Sequence, residues 1–293
     1  MNTFWSFWQQ IPMHIDPVLL NLGSFQLRWY SLGWITAFAV VYLLTHRRLT
    51  RNSAFREFSK KILDDFFFFE VIGVLVGARL GYVLFYNFGY YMEHPFEIIL
   101  PFSTSGGFHF TGISGMSYHG GVLGGLAVFL WYARRHKIPV VKFLELFAAA
   151  IPLGYVFGRL GNFMNGELYG RVTSIPWGMT FYEWGPSGKI PFSELRHPSQ
   201  LYEALLEGVL CGLLLWSLKD RVRPGIILSL YFISYGAARF VVEFFRQPDI
   251  QFIDNDPPGT VFLLMTMGQL LCLGMVLFGL AIMWGTRHMK KAV

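Results

Sequence analysis

Seven stretches of this chain, about 28–46, 66–88, 116–133, 143–164, 199–218, 225–245 and 261–285, come near the length and apolarity that a helix needs to cross a bilayer. No other feature constrains the fold as tightly. A hydrocarbon core takes roughly 20 mostly apolar residues as helix, and it leaves no water to satisfy an open backbone. Composition agrees: 54% of the 293 residues are hydrophobic, 18% aromatic and only 14% charged, with a mean hydropathy of +0.43. Soluble domains carry far more charge. The expected fold is an all-α integral membrane protein, a single polytopic domain over 1–293 with seven transmembrane helices.

The basic residues orient it, because Lys and Arg gather in cytoplasmic loops. The loop after span one holds Arg47, Arg48, Arg51, Arg56, Lys60 and Lys61, and the loops after spans three and five and the C-terminus add four, three and three more. The opposite side holds Arg28, Arg171, Lys189, Arg196 and Arg246. An N-terminus outside and a C-terminus inside follow, as an odd number of spans requires. The net charge of +6 is explained by this bias and by anionic inner-leaflet lipid, so nucleic acid is not an expected partner. The first 27 residues contain no lysine or arginine, no clean apolar core and no small-residue cleavage site, unlike a cleavable signal peptide. Cys211 and Cys272 fall inside spans, and no spacing of the HExxH type or GxSxG elbow appears, so neither a disulfide framework nor a metal is expected.

Between spans, residues 165–198 form the largest external segment; its "SIPWGMTFYEWGPSGKIPF" alternates aromatics with Gly and Pro and reads as a small folded cap with short strands. Segment 89–115 is rich in Gly, Ser and aromatics, and 246–260 carries "DNDPPG". Gly73, Gly77 and Gly81 make a ridge in span two, and Gly121 with Gly125, and Gly154 with Gly158, repeat its spacing. Such ridges let helices pack closely.

Polar residues inside the spans point to chemistry, since an ionisable group there costs roughly 2.5–3.5 kcal/mol on insertion scales. At about 100° per residue, Tyr155, Arg159, Asn162 and Gly166 share one face of span four, and Tyr235, Arg239, Glu243 and Arg246 share one face of span six. Two guanidinium forks near the outer leaflet suit a phosphate, and the abundant phosphate of a membrane is a lipid headgroup. Internal ion pairing is the competing explanation: Arg239 with Glu243, and Arg79 with Glu70 or another carboxylate. His119 stands at the outer end of span three, between glycines, where it could serve structure or proton transfer. His197, Gln200, Tyr202 and Glu203 open span five.

"MSYHGG", "GRLGNFMNGELYGR", "HPSQLYE" and "YGAARFVVEFFRQPD", in this order, closely resemble the prolipoprotein diacylglyceryl transferase family of bacterial inner membranes, from about Leu27 to Gln269. The resemblance implies seven transmembrane helices with a small periplasmic head at 165–198. It also implies transfer of the diacylglyceryl group of phosphatidylglycerol to the lipobox cysteine of a preprolipoprotein signal peptide, with release of glycerol 1-phosphate and no cofactor. Carried over by motif, Arg159 and Arg239 fall to the lipid phosphate and His119 to proton transfer, with Asn162, Tyr30, Tyr235 and Glu243 as supporting hydrogen-bond partners. Glu167 and Gly170, in "NGELYG", complete the expected lipid site. Residues 171–196 are compact beside many relatives, which puts signal-peptide docking on the head in question. A phospholipid or organic-anion transporter would use paired arginines without chemistry, and a membrane scaffold would rest on the glycine ridges; neither needs a titratable group such as His119.

Overall fold

The computed structural model describes residues 3–23, 25–100, 102–103, 109–110, 115–247, 260–262 and 264–287. Much of the 89–115 segment after Ser103, Pro248 and Asp249 of the last motif, the "DNDPPG" stretch and the C-terminal Lys290 and Lys291 lie outside them. The fold is mostly helical: α1 Thr3–His14, α2 Trp29–Arg51, α3 Lys60–Tyr86, α4 Phe88–Glu93, α5 Tyr118–Arg135, α6 Val140–Ala148, α7 Ile151–Asn165, α8 Ser199–Glu203, α9 Cys211–Leu218, α10 Ile226–Val242 and α11 Met267–Gly285. A π-helical turn, Ala204–Leu210, joins α8 to α9.

Every apolar stretch carries helix, with boundaries moved for identifiable reasons. The stretch 143–164 is two helices bent by 55°, because Pro152 in the first turn of α7 has no N–H to continue the helix before it. The last helix starts at Met267 rather than 261, where Thr266 and Gln269 form a reciprocal capping box. Lys60–Tyr86, Ser199–Leu218 and Met267–Gly285 are long and apolar enough to cross a membrane, and α6 with α7 makes a fourth candidate if the bent pair is one span. On α3, Phe68, Ile72, Leu75, Val76, Leu80 and Leu84 are exposed, an apolar face suited to lipid.

The chain forms two compact units. In the unit built mainly from Ser53–Phe143, α3 packs on α5 through glycine. The ridge of Gly73, Gly77 and Gly81 meets Gly120 and Gly124; a Cβ on Gly77 would stand 2.7 Å from the Cα of Gly124. Gly121 and Gly125, which repeat the spacing in sequence, face Val74, Ala78 and Glu70 beside the contact. Two adjacent glycine pairs let helical spacing choose either, and the backbone crossing selects the first. Arg79 donates to the carbonyls of Ile98 (2.9 Å), Glu97 (2.5 Å) and Gly115 (3.2 Å). Glu70, about 13 Å further down the helix, is out of its reach, so the expected pairing with Glu70 does not form.

The other unit comprises Met1–Leu19, Leu27–Asn52 and Leu144–Val293. Here α2 packs on α7, and α10 on α11. Gly154 supports the first contact, against Ala37 and Val41, whereas Gly158 has nothing within 4 Å of its would-be Cβ and so takes no part in a ridge. Residues 165–198 include the expected short strands, Tyr182–Gly185 antiparallel to Gly188–Pro191. Their core of Phe163, Met179 and Phe181 is completed by Trp8, Ile11 and Ile15 of the N-terminal segment. Lys189 fastens that segment by donating to the carbonyls of Pro12 and Met13, both at 3.2 Å, and of Ile15 at 2.5 Å.

At the N-terminal end of α10, two buried charges meet the backbone. Glu145 accepts from the amides of Ile227 (3.2 Å) and Leu228 (2.7 Å), capping the helix. Arg48 donates to the carbonyls of Glu145, Leu146 and Lys219. Counted in the sequence among the basic residues of the loop after span one, Arg48 lies on α2 and at 3% exposed is a structural residue.

Candidate functional site

The C-terminal half of α7 is placed by its own ending. Gly166 takes the left-handed conformation (φ +70°) and its amide returns to the carbonyls of Asn162 and Phe163, which closes the helix directly after the two carboxamides. Glu167 then turns back, its amide donating to the Asn162 carbonyl (3.1 Å) and its carboxylate accepting from Asn162 Nδ2 (2.8 Å). Asn162 Oδ1 in turn accepts from Arg159 Nη1 at 3.2 Å. Ser199 and Gln200, both fully buried, donate to the carbonyls of Leu168 and Glu167 and so tie "NGELYG" to the start of α8.

The arginines expected to meet a phosphate are held by carboxylates. Glu203, 1% exposed, lies 2.6 Å from Arg159 Nε, 3.4 Å from Arg239 Nη1 and 3.6 Å from Arg246 Nε. Glu243 lies 3.1 Å from Arg239 Nη2 and 3.7 Å from Arg246 Nη1. Glu207 lies 3.7 Å from Arg239 Nη1. The Tyr155 hydroxyl accepts from Arg159 Nε (2.6 Å) and donates to Glu207 Oε2 (2.7 Å). Three guanidinium groups thus face three carboxylates inside the protein, with formal charges that cancel.

Not every polar atom is matched. Glu203 Oε1, Glu207 Oε1 and Arg239 Nη1 are buried and make no hydrogen bond among the described residues. Charges that meet one another at 3.4–3.7 Å without good hydrogen bonds can exchange partners when an anion arrives. Three guanidinium forks, the planar shape that suits a phosphate, thus stand beside carboxylates that balance their charge.

Tyr30 opens α2 with its backbone against Gly161, and the Tyr235 ring stands edge-on to Tyr155 at 5.8 Å. Gly170 donates to the His197 carbonyl at 2.8 Å, and a Cβ there would lie 2.8 Å from that of His197, so close packing alone requires glycine. The structure brings Tyr30, Arg159, Asn162, Glu167, Gly170, Tyr235, Arg239 and Glu243 into one unit. His119, exposed in the first turn of α5, belongs to the other. Among the described residues no group of His, Cys, Asp and Glu could hold a metal ion.

Sequence reasoning left out Glu207 and gave Glu203 and Arg246 no role in the site. The signal that singled out the arginines was available for the glutamates: two acids four residues apart inside an apolar stretch share a helix face at a comparable cost.

A family model described as "Prolipoprotein diacylglyceryl transferase" matches residues 17–285. A protein of Chlorobaculum tepidum is 42% identical over 296 residues, covering 100% of this chain and 97% of its own. One of Bordetella avium is 43% identical over 91% of this chain and 93% of its own, and one of Wolinella succinogenes is 41% identical over 97% of each. All three are named phosphatidylglycerol–prolipoprotein diacylglyceryl transferase. None of these names supports the transporter or scaffold readings.

Proposed function

The chain belongs to the prolipoprotein diacylglyceryl transferase family, and we propose that it moves the diacylglyceryl group of phosphatidylglycerol onto the lipobox cysteine of preprolipoproteins. The observation that carries this beyond the family name is the buried cluster of Arg159, Arg239 and Arg246 against Glu203, Glu207 and Glu243.

The reaction is a substitution at saturated carbon. The cysteine sulfur forms a bond to the glyceryl CH₂, the C–O bond to phosphate breaks, and glycerol 1-phosphate leaves with the electron pair. No electrons enter or leave overall, so no redox cofactor is called for. The leaving phosphate gains one negative charge, and Arg159 and Arg239 are the groups to hold it, by fixed donors where charge develops. Asn162 orients Arg159 from one side and Glu243 orients Arg239 from the other. Tyr30, Tyr235, Glu167 and Gly170 shape the surroundings.

The thiol proton is assigned to His119. A free cysteine ionises near pH 8.5, so only a few per cent is thiolate at neutral pH, and a histidine base is worth roughly 10²–10⁴ in rate. Seven spans, an external N-terminus, a cytoplasmic C-terminus, an inner-membrane location and a periplasmic head at 165–198 complete the reading, supported by the basic loops and by helix on each apolar stretch.

The test is direct. Purified protein in phosphatidylglycerol vesicles is given a lipobox peptide, and mass spectrometry looks for a thioether-linked diacylglycerol from pH 6 to 9.5. Wild type is expected to form it. His119→Asn is expected to lose much of the neutral-pH rate and regain part of it at high pH, where the thiol ionises unaided; a variant within about threefold of wild type at pH 7 rules out the base role.

A further inference from the structure

Glu207 is the most deeply buried charge of the cluster, at 0% exposed. Its two carboxylate oxygens have different tasks. Oε2 accepts from the Tyr155 hydroxyl at 2.7 Å, and that hydroxyl accepts from Arg159 Nε at 2.6 Å. Oε1 stands 3.7 Å from Arg239 Nη1. One side chain therefore reaches both arginines, one directly and the other through a single phenol.

The backbone is shaped to keep it there. Glu207 lies on the π-helical turn Ala204–Leu210, and such turns inside α-helices occur often at functional sites. The next residue, Gly208, packs directly on α7: a Cβ would come within 2.5 Å of Val156 and 3.3 Å of the Pro152 carbonyl. The turn is thereby pinned beside Tyr155, the residue preceding Val156. Glu203 meets the arginines more directly, within 2.6–3.6 Å of Arg159, Arg239 and Arg246, and stands 3.3 Å from the Tyr155 hydroxyl, farther than Glu207 does. An entering phosphodiester competes with Glu203 for these same forks, and two anions on one side repel. Once Glu203 yields, Glu207 is the fixed anion still joined to both guanidinium groups.

We propose that Glu207 is a positioning residue for the transfer: it holds the Arg159 and Arg239 guanidinium groups in register while the lipid phosphate takes the place of Glu203. This rests on the transferase reading above. It separates Glu207 from the residues assigned to touch lipid, and makes Tyr155 the link through which it acts on Arg159.

The experiment is a double-mutant cycle in phosphatidylglycerol vesicles, with turnover scored per folded molecule and folding followed by thermal melting. Glu207→Gln keeps an acceptor for Tyr155 but removes the charge facing Arg239, and Tyr155→Phe removes the link to Arg159. Residues acting through one network do not add. Glu207→Gln is expected to lower kcat by about tenfold to a hundredfold with KM for phosphatidylglycerol changed by less than about threefold, and the double variant to be less impaired than the product of the two losses. A kcat per folded molecule equal to wild type, a loss confined to KM, or strictly multiplicative effects would each overturn the proposal. Product from wild type together with an unaffected Glu207→Gln leaves the transferase reading standing and removes only Glu207's role. No product from wild type removes both.

Discussion

The two ends of α10 both bury arginine and glutamate, and they do so in opposite ways. At the N-terminal end, Glu145 and Arg48 bond to amides and carbonyls of the main chain. At the C-terminal end, Arg239, Arg246 and Glu243 bond to side chains, among them Arg159, Glu203 and Glu207 through shared partners. Backbone groups stay where the fold puts them, so a charge bonded to them is locked. Side chains can rearrange, so charges bonded to one another can accept a ligand. Burial of a charge alone does not separate structure from function; the identity of its partners does.

The largest effect that follows is on turnover. Arg159→Ala and Arg239→Ala are each expected to lower it by roughly 10²–10³, the loss typical of one preorganised charge-stabilising donor, and Lys is expected to restore little because the planar fork is gone. Steady-state rates on a lipobox peptide check this; near wild-type rates in both Lys variants would erase the distinction between the two ends.

At the other end the effect is on stability. Arg48→Ala leaves the carbonyls of Glu145, Leu146 and Lys219 without this donor and is expected to cost about 1–3 kcal/mol, the penalty of a buried acceptor left unsatisfied. Thermal melting in detergent measures it, while turnover per folded molecule should stay near wild type. A specific loss of turnover in protein that melts normally would mean that the locked end also serves the chemistry.

The smallest effect sharpens the comparison at the edge of the cluster. Burial pushes the His197 imidazole below the ordinary histidine range, so the ring is neutral at pH 7; its Nδ1 lies 3.2 Å from the Tyr202 hydroxyl, which itself accepts from Trp177. The unfolded chain protonates first as pH falls, so this contribution is complete above about pH 6.5 and is lost through the lower folded value. His197→Gln should flatten the fall in melting temperature between pH 7 and 5 by no more than about 2 °C. A steeper fall in the variant would reverse the sign.

Much of this was legible in the sequence, and the omissions share a cause. Apolar length located helix on each stretch, and the 100° rule put Arg239 and Glu243 on one face, where they do pair. Ion pairing and phosphate binding compete as explanations for these arginines; the ion pairs are present, and phosphate binding is the proposal the variants above test. What periodicity could not supply was the partner across helices. It could not distinguish Arg48, bonded to carbonyls, from its exposed loop neighbours, or choose Gly120 and Gly124 over Gly121 and Gly125. Glu207 was overlooked because it lies outside every recognisable motif, although its place four residues after Glu203 in an apolar stretch was signal enough.

The central claim is that the partner-exchanging end of α10 holds the phosphate of the lipid. It is tested most directly by comparing Arg239→Lys with Arg48→Lys in one assay, with vesicles of phosphatidylglycerol, a lipobox peptide and mass-spectrometric counting of the thioether product per folded molecule. Both variants keep their charge and lose only the fork. Arg239→Lys is expected to lose product by roughly 10² or more, and Arg48→Lys to stay near wild type. Equal product from the two would contradict it.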